Sequence, residues 1–168
     1  MHIIYAFLKN YVCSRIFIIF VQTLTTMETP QKTPAELFAA QALVSQVRKE
    51  LTDNILPYWM QKMTTPEGGF YGRIDGNEQL DPSAPIGNIM TARMLWTFAS
   101  AYRLLGNKEY LDMAQKAKEF IISRFYDHEL GGTYWSLSSD GSPLDTKKQI
   151  YAIAFAIYGL SELNRATG

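Results

Sequence analysis

The sequence predicts an all-α fold built from two layers of helices, and three observations lead to this prediction. Helices with one apolar stripe alternate with helices that are apolar on nearly every face. A Gly-Gly-x-Tyr stretch occurs at residues 68–71 and again at residues 131–134. The helix after each stretch also repeats, because residues 95–103 align with residues 157–165 at a spacing of 62. A helix that is apolar all round must be surrounded by protein, so the pattern predicts an inner and an outer layer, as in part of an α/α toroid.

The first outer helix is predicted from residue 35 to about residue 63. Apolar residues recur there at helical spacing and predict one buried face. Its members are Leu43, Val47, Leu51, Ile55, Trp59 and Met63. Pro57 lacks a backbone N–H, which predicts a kink or a junction of two helices near that position.

A glycine-rich hairpin follows each outer helix. Glycines and prolines between residues 64 and 85 exclude a continued helix. An Asp-Gly pair suits a tight hairpin, and such pairs stand at Asp75-Gly76 and again at Asp140-Gly141. The sequence therefore predicts one short β-hairpin in each repeat unit.

The two inner helices are predicted at residues 88–105 and 147–165, and the second outer helix from residue 109 to about 126. Gly106 ends the first inner helix. Two units supply only four helices, which cannot close a ring. We therefore expect the last inner helix, which carries Tyr151, Phe155 and Tyr158, to have an uncovered side.

Composition excludes some functions. The 168 residues contain 16 Lys plus Arg and 16 Asp plus Glu, so no net charge favours nucleic acid. Cys13 is the only cysteine, which rules out an internal disulfide and a cysteine metal cluster and fits a cytoplasmic location. No membrane association is expected.

The first 26 residues are apolar but interrupted by Lys9, Asn10 and Arg15. Their longest uninterrupted apolar run, residues 16–21, is too short to span a bilayer. We interpret this segment as a start codon assigned too far upstream, with the protein beginning at Met27, and a targeting segment is the alternative. The predicted organisation is a doubtful leader and polar tail over 1–34 and a helical domain over 35–168.

Four polar features are candidates for function. Arg93 lies within an apolar helix, where a charge needs an ion-pair partner or a wet cleft in which it could hold a substrate oxygen. Tyr151 takes the place of Ile89 in the repeat and is either core or a polar group in the cavity. The pair Lys147-Lys148 stands at a helix start, where the helix dipole disfavours cations. His128 is interpreted as a surface residue.

Several blocks resemble a known family. "RKELTDNILPYW", "IGNIMTARMLWTFASAYR" and "KKQIYAIAFAIYGLSELNRATG" are similar to the N-terminal part of the cellobiose 2-epimerases, in the N-acylglucosamine 2-epimerase superfamily. The resemblance runs from about Val47 to Gly168. It implies a partial (α/α)6 barrel with a central cleft and no metal or organic cofactor. The implied reaction inverts C2 of the reducing-end sugar of a disaccharide, cellobiose to glucosyl-mannose, through a cis-enediolate between two histidines.

The resemblance also assigns residues. Arg93 matches the family's active-site arginine, a catalytic residue that stabilises the enediolate, and Tyr151 matches a cleft tyrosine that binds the sugar. The family's catalytic histidines lie on later helices, so we expect this chain to be inactive alone and to require the C-terminal part of the barrel. The alternatives are an aldose–ketose isomerase, an N-acylglucosamine 2-epimerase, or a non-catalytic helical-repeat module that binds a partner protein.

Overall fold

A computed structural model describes residues 33–168 of the chain. The predicted leader and the proposed start at Met27 lie outside the described residues. Residues Arg48–Gly168 form one compact unit, and residues 33–47 belong to a second. The helices are α1 (Pro34–Glu50), α2 (Leu56–Lys62), α3 (Asn88–Leu105), α4 (Lys108–Phe120) and α5 (Ile150–Thr167). The strands are β1 (Arg73–Ile74), β2 (Leu80–Asp81), β3 (Ile86–Gly87), β4 (Ser136–Leu137) and β5 (Pro143–Asp145).

The first outer helix is interrupted where Pro57 predicts it. A π-helical turn, Leu51–Ile55, joins α1 to α2, and the Leu56 N–H donates to the Leu51 carbonyl five residues back. Pro57 occupies the first turn of α2, where it needs no N–H partner. The predicted junction is confirmed.

The predicted buried stripe on this helix is wrong. Leu43, Val47, Ile55 and Trp59 are all exposed, and of the predicted stripe only Met63 is buried. Helical periodicity identifies a face that is able to be buried, but burial also requires an element that covers it.

The two Gly-Gly-x-Tyr stretches form corresponding loops, of which the second is one residue longer, and this confirms the repeat. Tyr71 N–H donates to the Met63 carbonyl, and Tyr134 N–H donates to the Phe125 carbonyl, both at 2.9 Å. Gly68 and its equivalent in the second loop, Gly131, have φ of 86° and 72°. L-residues with side chains rarely adopt this conformation, which explains the glycine at both positions.

The hairpin turns differ from the prediction. Each turn spans five residues, 75–79 and 138–142, and is closed by a backbone hydrogen bond between its ends. The positive φ falls on Glu78 (60°) and on its equivalent Gly141 (82°). Both predicted hairpins exist and each Asp-Gly pair lies within its turn, but the turns are wider than a tight hairpin.

A three-stranded antiparallel sheet joins the two repeat units. Its order is β3-β4-β5, so the strand that leads into α3 pairs with the hairpin that precedes α5. Helix α3 begins and ends as predicted, with Gly106 at its C-terminal end in the left-handed conformation. Helix α5 begins at Ile150, so Lys147 and Lys148 precede it and do not lie in its first turn.

Helix α3 is the centre of the described structure and packs against both α4 and α5. The core consists mainly of side chains from α3 and α4. The largest fully buried ones are Phe70, Phe98, Phe125, Leu56, Leu95, Ile121 and Leu137. This arrangement of outer helix, hairpin and inner helix, repeated twice, confirms the predicted partial α/α barrel with two short β-hairpins.

Candidate functional site

Helices α3 and α5 run side by side in equal register. Ser100 Oγ donates to Glu162 Oε1 at 2.9 Å, and these residues are 62 positions apart. Trp96 and Tyr158, also 62 positions apart, stack with ring centroids 5.2 Å apart and planes 10° apart. Equivalent residues of the two units therefore meet across the interface.

One face of this helix pair carries a wall of aromatic side chains with one guanidinium. Trp96 is partly buried, and Arg93 lies one turn before it on the same face of α3. On α5, Tyr151, Phe155 and Tyr158 follow one another at helical spacing, with ring centroids 5.0 and 6.5 Å apart. The stack of Trp96 on Tyr158 joins the two rows. We call these five residues the aromatic wall.

Arg93 is half-buried, between the buried residues Ala92 and Met94. Its equivalent on α5 is Phe155, so the guanidinium interrupts a row that is otherwise aromatic. The charge of an arginine persists at every accessible pH. The wall thus offers fixed positive charge next to apolar ring surface.

Tyr151 lies in the first turn of α5 and is 49% exposed. Its ring packs edge-on against Phe155. No group among residues 33–168 accepts or donates a hydrogen bond at its hydroxyl, which leaves that group free to bind a polar ligand. The structure thus places both predicted site residues, Arg93 and Tyr151, on the same wall.

Sequence reasoning did not single out Trp96 and Tyr158 as site residues. Burial, and next the negative charge of Glu162, raise the pKa of the Tyr158 phenol above its ordinary value. The repeat could have predicted this stack, because the spacing of 62 aligns Trp96 with Tyr158.

The lysines before α5 are tied to the second hairpin. Lys148 Nζ lies 2.7 Å from Asp127 Oδ2 and 4.3 Å from the centre of the Tyr134 ring. Lys147 forms a more exposed pair with Asp145 at 2.8 Å. The N-terminal end of a helix dipole repels cations, and the carboxylate partner of each lysine offsets that repulsion.

Asp127 is held as a carboxylate by its loop. The backbone N–H of Leu130 is the first cause, followed by the hydrogen bond from Lys148 and the N–H of Glu129, and together they lower its pKa to about 2. The side chain is buried, at 7% exposure. It stays ionised throughout the physiological range.

His128 lies away from the wall. Its Nε2 is 3.1 Å from the Ile122 carbonyl oxygen and its ring packs edge-on against Tyr126. Within the described part of the chain there is no group of three or more residues able to hold a metal ion. No helix of residues 33–168 is long and apolar enough to cross a membrane.

A second face of α5 is uncovered, as the repeat predicts. Ile157 is 59% exposed, whereas its equivalent on α3, Leu95, is fully buried by contact with α5. Ala154 and Ser161 are likewise exposed, although the residues equivalent to them on α3 are buried. This face of α5 is therefore the one that a further inner helix would cover.

Comparison with known proteins adds the family. A model of the N-acylglucosamine 2-epimerase (GlcNAc 2-epimerase) family matches residues 69–168. Cellobiose 2-epimerase of Bacteroides fragilis is 62% identical over 127 residues, which cover 75% of this chain and 32% of that protein. The structure of cellobiose 2-epimerase from Spirochaeta thermophila superposes with a TM-score of 0.73 at 38% identity, covering 83% of this chain and 34% of that one. The structure of a D-mannose isomerase gives a TM-score of 0.60 at 25% identity, covering 67% and 28%. The chain spans about a third of the length of the relatives it matches.

Proposed function

The chain belongs to the N-acylglucosamine 2-epimerase family, and we propose that it forms the N-terminal part of a cytoplasmic carbohydrate 2-epimerase. The proposed reaction inverts C2 of the reducing-end sugar of a β-1,4-disaccharide such as cellobiose. The observation that carries the proposal is the aromatic wall, where Arg93 and Tyr151 lie beside stacked rings. The likeness to cellobiose 2-epimerases supports the choice of sugar.

The aromatic wall fits a sugar that becomes negatively charged during the reaction. Inversion at C2 requires removal of a proton next to the carbonyl of the open-chain sugar, and a negative charge develops on the enediolate oxygens. A fixed guanidinium in a partly dry site stabilises such charge more than water does. In the proposal Arg93 supplies that stabilisation.

The remaining residues of the aromatic wall bind the sugar and fix its orientation. The free hydroxyl of Tyr151 hydrogen-bonds a sugar hydroxyl, and the ring faces of Trp96 and Tyr158 cover the C–H surface of the sugar. Holding the sugar in one orientation lowers the entropic barrier of the proton transfers.

The two bases that move the proton lie outside this chain in the proposal. His128, the one histidine among residues 33–168, is bonded within its loop and does not reach the wall. The uncovered face of α5 that carries Ile157 receives the next inner helix, and later helices bring the bases to the cleft. We therefore propose that the chain by itself binds the sugar weakly and does not convert it.

A segment exchange tests the proposal. Residues 48–168 replace the matching segment of the Bacteroides fragilis cellobiose 2-epimerase, and conversion of cellobiose is followed by chromatography. We expect activity close to that of the parent enzyme, and a loss of kcat of about a hundredfold or more for Arg93→Met in the exchanged enzyme. Full activity of the Arg93→Met variant, or conversion of cellobiose by the 168-residue chain alone, would contradict the proposal.

An aldose–ketose isomerase is the second candidate, and the likeness to a D-mannose isomerase favours it. It shares the enediolate, but the proton returns to C1 and the product is a ketose. The bases that return the proton lie outside this chain in both cases, so the product must be identified with the chain joined to the C-terminal part of its own barrel. An epimerase then yields glucosyl-mannose and an isomerase yields glucosyl-fructose.

A further inference from the structure

We propose that Asp127 and Lys148 are positioning residues for Tyr151. Their ion pair anchors the start of α5 to the second Gly-Gly loop and so sets where the Tyr151 hydroxyl stands on the aromatic wall. This inference rests on the proposed function, since Tyr151 is there a sugar-binding residue.

The anchor on the loop side is rigid. Asp127 Oδ1 accepts the N–H groups of Glu129 and Leu130, each at 3.0 Å, which leaves Oδ2 for Lys148. A buried carboxylate that is held by backbone donors and paired with a cation is fixed in position.

The anchor on the helix side is equally constrained. The stem of Lys148 runs over Gly132, where an added Cβ would lie 3.5 Å from Lys148 Cδ and 3.4 Å from Ile153 Cδ1. The ammonium group sits over the ring of Tyr134. Lys148 is three residues before Tyr151, so fixing its end fixes the entry of the chain into the first helical turn.

The first repeat unit argues that the pair is not needed to build the loop. The residues there that are equivalent to Asp127 and Lys148 are Thr65 and Ile86. The Thr65 hydroxyl accepts the Gly69 N–H at 3.0 Å, and this loop, which is one residue shorter than the second, closes with the corresponding backbone hydrogen bonds. The ion pair and the exposed tyrosine occur together in the second unit and are both missing from the first.

The test uses the full chain with Lys148→Met, Asp127→Asn and the conservative Lys148→Arg. Lys147→Met is the matched control, because Lys147 is the neighbouring cation and likewise contacts a carboxylate and a ring, Asp145 and Trp135, in a more exposed position. Amide hydrogen exchange follows the Ile153 N–H, which donates to the Gln149 carbonyl at the start of α5, with the Leu163 amide as an internal reference. A nuclear Overhauser contact reports the packing of the Tyr151 ring on Phe155. Titration with cellobiose, with and without Tyr151→Phe, reports binding.

For Lys148→Met and Asp127→Asn we expect exchange in the first turn to accelerate about tenfold with Leu163 unchanged. The cellobiose Kd should rise several-fold, Lys148→Arg should restore most of the affinity, and Lys147→Met should match the wild type. Because the pair acts through Tyr151, adding Lys148→Met to Tyr151→Phe should weaken binding no further.

Unchanged exchange and ring contact in Lys148→Met would overturn the inference. So would additive effects of Lys148→Met and Tyr151→Phe on binding. If Tyr151→Phe does not alter cellobiose binding, the proposed role of Tyr151 in the sugar site fails, and the exchange and ring-contact data still decide whether the pair positions Tyr151.

Discussion

Trp96 and Tyr158 occupy the same position in the two repeat units and stack face to face, 5.2 Å between ring centroids. Equivalent side chains of the two repeat units therefore meet across the interface between α3 and α5. The hydrogen bond between Ser100 and Glu162 obeys the same rule one turn further along. Four predictions follow from such contacts between and within the units.

Gly159 on α5 allows the closest approach of the two inner helices. A Cβ at this position would lie 2.7 Å from the Ala92 carbonyl oxygen and 3.1 Å from Leu95 Cδ2. Gly159→Ala should therefore lower the free energy of unfolding by about 2 kcal/mol, because the backbone oxygen has no room to retreat. Helix propensity alone predicts the opposite, a gain of about 1 kcal/mol. Urea denaturation shows whether the free energy of unfolding falls or rises, and Ser161→Ala, at an exposed position, serves as a neutral control.

Glu162 is the ionic centre of the same interface. It is 6% exposed, and its Oε1 accepts from Ser100 Oγ and from Arg103 Nε at 2.8 Å. Glu162→Ala should destabilise the chain by about 3 kcal/mol, at the lower end for a broken buried pair because the Arg103 side chain is 29% exposed.

Arg165 provides the control for Glu162, since it approaches the same carboxylate only at 3.6 Å and its side chain is 67% exposed. Arg165→Ala should change the free energy of unfolding by less than about 1 kcal/mol. Equal effects of the two substitutions would show that burial of Glu162 contributes nothing.

Glu78 is held in the left-handed conformation, with φ of 60°. Its equivalent Gly141 adopts φ of 82° without strain. Glu78→Gly should therefore raise the free energy of unfolding by about 0.5–1 kcal/mol, and Gly141→Ala should lower it by about 1 kcal/mol. Thermal and urea unfolding of both variants check the pair of signs, and two changes of the same sign would refute this account.

The Asp127 carboxylate makes the stability of the chain depend on acid pH. Its pKa falls from 3.8 to about 2 on folding, with the Leu130 N–H as the first cause and Lys148 as the second. A depressed folded pKa gives stability that is complete above pH 3.8 and is lost as the pH falls towards 2. The stability difference between wild type and Asp127→Asn, measured by urea denaturation from pH 2 to 6, should shrink over this window. The other carboxylates contribute equally to the pH dependence of both proteins, so their contribution disappears from the difference. Parallel pH profiles of the two proteins would contradict the prediction.

Most of the fold was predictable because the determining signals are local. Gly106 ends α3 because a left-handed residue is needed there, and Pro57 interrupts the first outer helix because it lacks a donor. The repeat was readable from the doubled Gly-Gly-x-Tyr stretch. The turn at Asp75-Gly76 lies where it was predicted but is wider than a tight hairpin. The Asp75 side chain accepts the Asn77 and Gln79 N–H groups and stabilises a five-residue loop, in which the positive φ falls on Glu78.

The candidate site was only partly predictable. Arg93 drew attention as a charge in an apolar helix, and the family resemblance assigned Tyr151. The stack of Trp96 on Tyr158 and the pairing of Asp127 with Lys148 were not predicted. Both join residues more than 20 positions apart, whose contact depends on how α3, α5 and the second hairpin are placed in space.

The sequence alone was enough to show which segments become helix or hairpin and that the unit is repeated, because backbone preference and periodicity are properties of short stretches. The family followed from a different signal, the resemblance of whole sequence blocks to known proteins. The tertiary structure decided which apolar faces are covered. Ile157 stays exposed although Leu95, at the same position of the other unit, is buried, and Lys148 tolerates the start of a helix because Asp127 is brought beside it. Whether a side chain is buried or ion-paired depends on the residues around it. Residues that are far apart in the sequence become neighbours only when the helices and hairpins pack together.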